Sequence, residues 1–365
     1  MDLNLKFGLI SLGSVSSNMI LKEAQTYFQT VDLIDIRKIE IKMDTKVTVL
    51  YDGEPLKKYD CLLMRGSFKY STLLYALSQM FQNECFVPLE ANSHFIAHNK
   101  FMTHLYLSKD KNLKMPSTYF AAKISETKAF LKTLNYPIIL KFPSGTHGKG
   151  VIFAESASSA NSMVDALEVF KQPILVQDYV DIKSDIRIIV AGNKIIGSMR
   201  RIAKGDEIRA NSHLGGEAEP FIVTPEMKSM SIQAAKLIGA KICAIDIIES
   251  DYGPLILEIN TSPGLQKITD ITKKNIAKEM VEYLYDETKK LKESRDKLET
   301  KGLMSGLGVE GIGETELETE LIVKNGKILL PEFAYKMSSF KEGEDVSLKV
   351  YKNKIEIIKN EEEEY

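Results

Sequence analysis

The sequence predicts an α/β protein of several domains. Apolar segments of strand length alternate with segments of helical spacing, beginning with a strand, a glycine- and serine-rich turn, a helix and a second strand. The 365 residues also exceed the size of most single cores. We expect a small α/β domain over residues 1–95 and a larger domain over 96–290. A helix end and a glycine-rich linker over 291–316 should then lead to a β-rich module over 317–359 and an acidic tail over 360–365.

Composition argues against several classes of function. The formal net charge of −2 provides no overall basic field, which disfavours nucleic-acid or membrane-surface binding as the main activity. The three cysteines lack the spacing of metal ligands and indicate reduced thiols. No stretch reaches the roughly 18 apolar residues of a membrane span. We therefore expect a cytoplasmic protein with no membrane partner.

A glycine-rich loop lies between two strands in the predicted lid subdomain, residues 110–180. An apolar segment ends at Lys141, the loop over 144–150 reads SGTHGKG, and an apolar segment follows. The Walker spacing is absent, so the loop is predicted to act as a lid over phosphates. Lys141 lies among apolar neighbours and needs an anion, which a nucleotide phosphate would supply. The alternative is a lysine that extends to water beside an ordinary glycine turn.

The strongest signal is a predicted hairpin with acidic residues on both strands. A three-residue loop that ends at Gly253 pairs Ser250 with Pro254, with Gly253 in the left-handed conformation. Counting back along both strands then places Asp246 directly opposite Glu258.

Three oxygen ligands therefore share one face of this hairpin: Asp246, Glu258 and Asn260. Two facing carboxylates with apolar flanks repel each other unless a cation lies between them. Mg²⁺ that bridges nucleotide phosphates fits this set. The alternative is an exposed sheet face whose acids contact water.

Arginines are concentrated in one part of a lysine-rich chain, at Arg187, Arg200, Arg201 and Arg209. Guanidinium groups bind phosphate and carboxylate in a bidentate manner, so this concentration predicts recognition of such groups, with a solvated face as the alternative. Histidines at positions 94 and 98 lack a third ligand and are expected to be ordinary helix residues. Spacing indicates no Ser/His/Asp or Cys/His arrangement.

With these segments in order, residues from about 6 to 290 resemble the RimK-like branch of the ATP-grasp superfamily. The resemblance implies an α+β architecture with an N-terminal α/β pre-ATP-grasp domain and an ATP-grasp core of two subdomains. The motifs that carry it are Asn99-Lys100, Lys141, Gly145-Thr146-His147-Gly148 with Gly150, Val176-Gln177-Asp178-Tyr179, Asp185-Ile186-Arg187, Arg200-Arg201, Arg209-Ala210-Asn211 with Gly215-Gly216, Asp246, Glu258-Ile259-Asn260 and Ser262-Pro263-Gly264.

The resemblance implies a carboxylate–amine ligase that uses ATP to form an acyl phosphate, with glutamate as the expected amine. The implied ATP contacts are Lys100, Lys141, Gly145, Thr146, His147, Gly148, Gln177, Asp178, Tyr179, Val180, Asp185 (at the ribose), Arg209 and Asn211. The implied catalytic residues are Arg187, Arg209 and Asn211. The implied ligands of two Mg²⁺ ions, with Mn²⁺ as a substitute, are Asp246, Glu258 and Asn260. We assign substrate contacts to Arg65, Arg200, Arg201 and Ser262.

The acceptor of this reaction stays open. Asp178 and Asn99 stand where the family usually has Glu and Asp, and Leu214 stands where an arginine is frequent. Family members add glutamate to a ribosomal protein or to the glutamate tails of deazaflavin and pterin cofactors. Others act on an amino-group carrier protein of lysine or arginine biosynthesis. A different class of alternative is a non-catalytic metabolite sensor fused to a DNA-binding module.

The C-terminal module resembles the AbrB swapped-hairpin domain in residues 323–331, 340–346 and 355–357. In that family the domain dimerises and often binds DNA. This module has no arginine, and its acidic residues offset its lysines. We therefore expect homo-oligomerisation through this module, and no DNA binding.

Overall fold

The computed structural model describes residues 4–145, 150–168, 173–181, 184–202, 217–306, 322–324, 327–329, 345–352 and 354–359. The chain divides into two compact units, Met1–Lys301 and Gly302–Tyr365. Every helix in the described ranges is too short or too polar to span a membrane.

The first unit opens with a parallel sheet, as the alternation of apolar segments predicts. In chain order its elements are β1 (Lys6–Ser11), α1 (Val15–Ala24), β2 (Thr30–Asp35), β3 (Ile39–Met43), β4 (Val47–Tyr51), β5 (Glu54–Pro55), β6 (Cys61–Met64) and α2 (Ser71–Phe81). Strands β2, β1 and β6 form the N-terminal sheet, in that order. The small antiparallel sheet β3-β4-β5 was not predicted. Its strands are short, but apolar and polar residues alternate along them, with Ile39, Ile41 and Met43 in β3 and Val47 and Val49 in β4, so a period-two signal for them is present in the sequence.

Two consecutive helices follow, α3 (Ala91–His98) and α4 (Lys100–Leu107). Asn99 separates them and caps α4, because its side-chain oxygen accepts a hydrogen bond from Met102 N at 3.2 Å. The cap places Lys100 in the first turn of α4.

The predicted lid subdomain contains an antiparallel sheet with two helices. Its elements are β7 (Thr118–Phe120), α5 (Ile124–Leu131), β8 (Ile138–Lys141), β9 (Val151–Ala154), α6 (Ala157–Glu168) and β10 (Leu175–Asp178), with sheet order β7-β10-β8-β9. One face packs Ile138, Leu140 and Val176 against the helices. Because side chains alternate along a strand, Lys141 and Gln177 point to the other face.

The central sheet consists of antiparallel strands with apolar side chains on the face toward a helix. Its elements are β11 (Ser184–Ala191), β12 (Lys194–Ile202), β13 (Glu217–Pro220), α7 (Pro225–Leu237), β14 (Ile242–Ser250) and β15 (Gly253–Asn260), with sheet order β13-β12-β11-β14-β15. The sequence Thr224-Pro225 predicts an N-cap followed by proline at the start of a helix, and the structure confirms it: Thr224 caps α7 and Pro225 occupies its first turn. Ile188, Ile245 and Met230 belong to the core between this face and α7.

Two further helices follow, α8 (Gln266–Thr272) and α9 (Ile276–Gly306), and α9 extends past Lys301, the last residue of the first unit. The sequence predicts one helix from about residue 272 to 299, and this is wrong at its start, because Lys273 has a φ of 56° and ends α8. Ile276, Met280 and Leu284 of α9 are buried in a cluster with Phe7 and Phe28 of the N-terminal region. The α9 helix thus joins the central sheet to the N-terminal sheet.

Beyond α9, the described part of the second unit forms two antiparallel hairpins. The first consists of β16 (Ile322–Lys324) and β17 (Lys327–Leu329), and the second of β18 (Val346–Tyr351) and β19 (Lys354–Lys359). The sequence also predicts a short helix over 331–338 between these hairpins, and those residues lie outside the described ranges. The AbrB-like, swapped arrangement therefore stays a prediction.

Candidate active site

The predicted pairing of Asp246 with Glu258 is confirmed, although the loop that predicts it is not. Ser250 pairs with Gly253, which has a φ of 97°, so the turn is one residue shorter than expected. A register shift between Asp246 and Ile247 then inserts one extra residue on β15 and restores the Asp246–Glu258 pair.

One face of the central sheet carries a cluster of charged side chains. Asp185, Arg187, Arg201, Asp246 and Glu258 lie at register positions that share this face, because Arg187 pairs with Asp246, Asp185 with Arg201, and Asp246 with Glu258. We call this the charged face. The opposite face packs against α7.

Two arginines clamp Asp246. Arg187 donates from Nε to Oδ1 at 2.8 Å and from Nη2 to Oδ2 at 2.7 Å, and Arg201 Nη2 lies 2.8 Å from the same Oδ2. Burial alone would raise the pKa of Asp246, but Arg187 and Arg201 outweigh burial and hold it well below its ordinary value. The two guanidinium groups therefore favour the ionised form of Asp246.

Asp185 is the second partner of Arg201. It is 1% exposed and accepts a hydrogen bond at 3.0 Å from Arg201 Nε to Oδ1, and its Oδ2 accepts from Arg201 Nη2. The Asp185 carboxylate in this position orients Arg201. The contact of Asp185 with the ribose stays a prediction.

Glu258 differs from both aspartates because its carboxylate has no hydrogen bond or ion pair with a described residue. Burial, and then the charge of Asp246, raise its pKa above the ordinary value. The neighbouring Asn260 has its Oδ1 engaged with Ser262 N at 2.9 Å. A hard divalent cation would relieve the repulsion between the two carboxylates, so the donor set fits Mg²⁺. In the described ranges, no group of three or more His, Cys, Asp or Glu residues is arranged to hold a metal ion, so the proposed ligands here are two carboxylates and one amide.

Two lysines lie near this charged face. Lys100 Nζ donates to Gly145 O at 3.0 Å, and Lys141 Nζ donates to Gln177 Oε1. Burial, and then the charge of Lys100, lower the pKa of Lys141 to about 8, whereas Glu258 opposes this shift. Neither lysine forms an ion pair with a described carboxylate. A polyphosphate would supply the missing negative charge.

His104 belongs to the same network and was missed by the sequence analysis. Gln177 Nε2 donates to Thr118 Oγ1 at 2.8 Å and lies 3.3 Å from His104 Nε2. Burial, and then Lys141, lower the pKa of His104 to about 4, so the ring is neutral and its Nε2 accepts. The sequence does offer one signal for His104: it lies four residues after Lys100, a proposed phosphate contact, and therefore on the same side of α4.

The structure separates Arg200 from the other predicted substrate contacts. Arg200 pairs with Ile186 across β11 and β12, which places it on the face opposite Arg201. Its side chain bonds Glu249 at 3.0 Å and lies over the ring of Phe221. We therefore leave Arg200 out of the proposed substrate contacts.

Arg65 and Ser262, by contrast, are brought together. Gly66 N donates to Ser262 Oγ at 3.1 Å, and Arg65 Nη2 donates to Pro263 O at 2.7 Å. These bonds join the end of β6 to the loop that follows β15.

The remaining predicted ATP contacts fall into two groups. Tyr179 donates to Asp181 at 3.1 Å and its ring contacts Phe153, while Asp178 is exposed and Val180 is partly buried, all at the end of β10. The residues outside the described ranges are Thr146, His147, Gly148, Arg209 and Asn211. Their predicted roles stay predictions.

Comparisons with known proteins agree on one family. Residues 97–284 match the RimK-like ATP-grasp domain model. A probable alpha-L-glutamate ligase of Methanococcoides burtonii is 32% identical over 273 residues, covering 74% of this chain and 91% of that protein.

Solved structures show the same fold. The ATP-grasp ligase PsnB, complexed with minimal precursor, Mg and ADP, superposes with a TM-score of 0.62 at 15% identity, covering 78% of this chain and 99% of PsnB. The RimK domain protein ATP-grasp of Sphaerobacter thermophilus gives a TM-score of 0.60 at 16% identity, covering 76% of this chain and 98% of that one.

Proposed function

This chain belongs to the RimK-like ATP-grasp family and is a carbon–nitrogen ligase. We propose that it is an α-L-glutamate ligase that forms a peptide bond through an acyl phosphate. The observation that carries this proposal is the pair of partly buried lysines, Lys100 and Lys141, near the two facing carboxylates of the charged face. Lys141 and Glu258 are close enough for each to shift the pKa of the other. Cations for phosphate and oxygen ligands for Mg²⁺ therefore lie in one site.

ATP is proposed to bind between the small sheet of the lid subdomain and the central sheet. Lys100 and Lys141 would neutralise the phosphates, and Gln177 holds Lys141 in place through its side-chain oxygen. Tyr179 and Val180, at the end of β10, would line the adenine. His104 and Thr118 hold the Gln177 amide group, so Lys141 is oriented before the nucleotide arrives.

Asp246, Glu258 and Asn260 would hold Mg²⁺, which lowers the negative charge of the phosphates when bound. Arg187 fixes the orientation of Asp246 through two hydrogen bonds. Because Asp246 stays ionised, this arrangement is ready for a cation across the neutral pH range.

The proposed reaction has two steps. A carboxylate oxygen of the acceptor bonds to the γ-phosphorus of ATP, and ADP leaves with the electrons of the broken P–O bond. The glutamate amine then bonds to the acyl carbon, loses a proton and displaces inorganic phosphate. We assign stabilisation of the charge that develops in these steps to Arg209 and Asn211, which is the role that the family resemblance implies for them.

The test is incorporation of glutamate. Protein, ATP, Mg²⁺ and labelled L-glutamate are incubated with a cell extract, and the labelled product is isolated and identified. Labelled protein, labelled cofactor tail and labelled carrier protein separate the three acceptor classes. Nucleotide binding without any incorporation or glutamate-dependent ADP release would favour a sensor and contradict the proposal.

The C-terminal module is proposed to pair with a second copy of the chain. Leu348, Val350 and Ile355 of the second hairpin are 61%, 72% and 48% exposed, and a module of this size lacks apolar surface for an independent core. Truncation after Gly306 should lower the oligomeric state measured by light scattering and leave ATP binding unchanged. An unchanged mass, or DNA binding at physiological salt by the full chain, would refute this assignment.

A further inference from the structure

Arg65 is a buried arginine without an anionic partner. It follows β6 and is 5% exposed, and its Nη2 donates to Pro263 O at 2.7 Å. The Nε atom is buried and has no hydrogen bond. No described carboxylate pairs with the guanidinium. Burial is the cause that lowers the pKa of Arg65 to about 10.

The two arginines of the charged face have the anionic partners that Arg65 lacks. Arg187 and Arg201 are both paired with Asp246, and Arg201 is also paired with Asp185. Removing a guanidinium from water costs several kcal/mol unless an anion and good hydrogen bonds replace the water. A single backbone carbonyl does not provide this for Arg65. The uncompensated charge therefore points to a negatively charged ligand.

The position of Arg65 places this ligand beside the proposed reaction site. Gly66 N bonds Ser262 Oγ, and Ser262 N bonds Asn260 Oδ1, so a short chain of contacts connects Arg65 to the end of β15. The carboxyl ends of parallel strands such as β6 are where α/β sheets bind ligands. Gly264, one residue beyond Pro263, has no heavy atom within 4 Å of the position of a Cβ, so open space borders this loop.

We propose that Arg65 binds a carboxylate of a substrate at the edge where the N-terminal sheet meets the loop 261–264. This rests on the proposed ligase function and adds the group that recognises the substrate's negative charge. Nε, which has no hydrogen bond, lies on the side-on edge of the guanidinium together with Nη2, and such an edge matches the two oxygens of a carboxylate. The carboxylate is either the α-carboxylate of the incoming amino acid or that of an acidic acceptor tail, and the two sources are separable by experiment.

Two probes test the proposal without requiring turnover. L-Glutamate represents the incoming amino acid, and the dipeptide Glu-Glu represents an acidic acceptor tail. Calorimetry measures their binding to the full-length protein saturated with Mg²⁺ and ADP. The variants are Arg65→Met, Arg65→Lys and the matched control Arg37→Met, since Arg37 is an exposed arginine of the same domain that is paired with Asp35.

We expect Arg65→Met to weaken binding of one probe about 10- to 100-fold, which is the range for a lost charge-assisted bidentate contact. Arg65→Lys should recover part of this loss, and Arg37→Met should bind as the wild type does. ADP affinity should be the same in all variants. Which probe is weakened identifies the source of the carboxylate.

Thermal unfolding separates a binding role from a structural one. Methionine removes an uncompensated buried charge, so Arg65→Met should keep or raise the melting temperature, whereas a structural tether would lower it. Unchanged binding of both probes to Arg65→Met, or binding of neither probe to the wild type, would overturn the proposal. Weakened binding together with no glutamate incorporation in any assay would refute the ligase proposal and leave the role of Arg65 standing.

Discussion

Both faces of the central sheet carry ion pairs between arginine and acidic residues, but the pairs on one face are buried and those on the other are more exposed. Arg200 and Arg201 are adjacent on β12, yet Arg201 is 11% exposed at its side chain and pairs with Asp185 and Asp246, whereas Arg200 is 29% exposed and pairs with Glu219 and Glu249. Surface ion pairs contribute little to stability, and buried ones are costly to form. A buried cluster of charges is therefore evidence for function, and an exposed one is not.

The strongest test of this comparison removes one glutamate from each face. Glu258→Ala should lower glutamate-dependent ADP release by about 1,000-fold, because it removes a proposed metal ligand. Glu249→Ala removes an acid from the opposite face and should leave turnover within about twofold of the wild type. Steady-state kinetics at saturating ATP and Mg²⁺ measures both. Wild-type turnover by a folded Glu258→Ala protein would contradict the assignment of Glu258 as a metal ligand.

The second test compares the two arginines. Arg201→Met leaves Asp185 buried without its guanidinium partner and should lower the free energy of unfolding by about 3 kcal/mol. Arg200→Met breaks an exposed pair and should cost less than about 1 kcal/mol. Urea unfolding of both variants gives the two values. Equal losses would show that the faces do not differ in electrostatic environment.

The third test concerns the nucleotide. Lys141→Ala should weaken ATP binding about 10- to 100-fold, because it removes a partly desolvated cation for phosphate. The matched control is Lys128→Ala in the same subdomain, whose exposed ammonium pairs with Asp165 and Glu168, and it should not change ATP affinity. Titration with a non-hydrolysable ATP analogue measures the affinities. Similar affinities for the two variants would remove Lys141 from the site.

The smallest expected effect depends on pH and involves a buried group that is kept neutral. His94 bonds Ser78 Oγ at 2.9 Å, and burial, then His98, lower its pKa to about 4. The unfolded chain binds a proton near pH 6.5, so it holds more protons than the folded chain between pH 6.5 and 4. Stability should therefore fall as the pH falls through this window.

His94→Gln removes this titration. Between pH 6.5 and 4 the wild type should lose about 1–3 kcal/mol more unfolding free energy than the variant. Denaturant unfolding at a series of pH values measures the difference. Parallel pH profiles of the two proteins would show that folding does not lower the pKa of His94.

Local signals in the sequence predicted most of the elements and the central pair of the site. Apolar periodicity located the strands, and the Thr224-Pro225 cap located the start of α7. The Asp246–Glu258 pair was predicted through a loop that was one residue too long, and the extra residue on β15 restored the same register. Turn length and bulge position each shift the register by one residue, so only their combination decides the pairing.

The tertiary structure decided which of these residues have partners. Sequence by itself determined that the chain has an α/β fold, that carboxylates face each other across a hairpin and that Lys141 follows an apolar strand. It did not indicate which carboxylates pair with Arg200 and Arg201, that His104 reaches Gln177, or that Arg65 is buried beside Pro263. Those outcomes depend on contacts between residues far apart in the chain, such as Arg65 and Pro263. Burial and the identity of the neighbouring charge determine whether an ionisable side chain stabilises the fold, binds a ligand or contacts water.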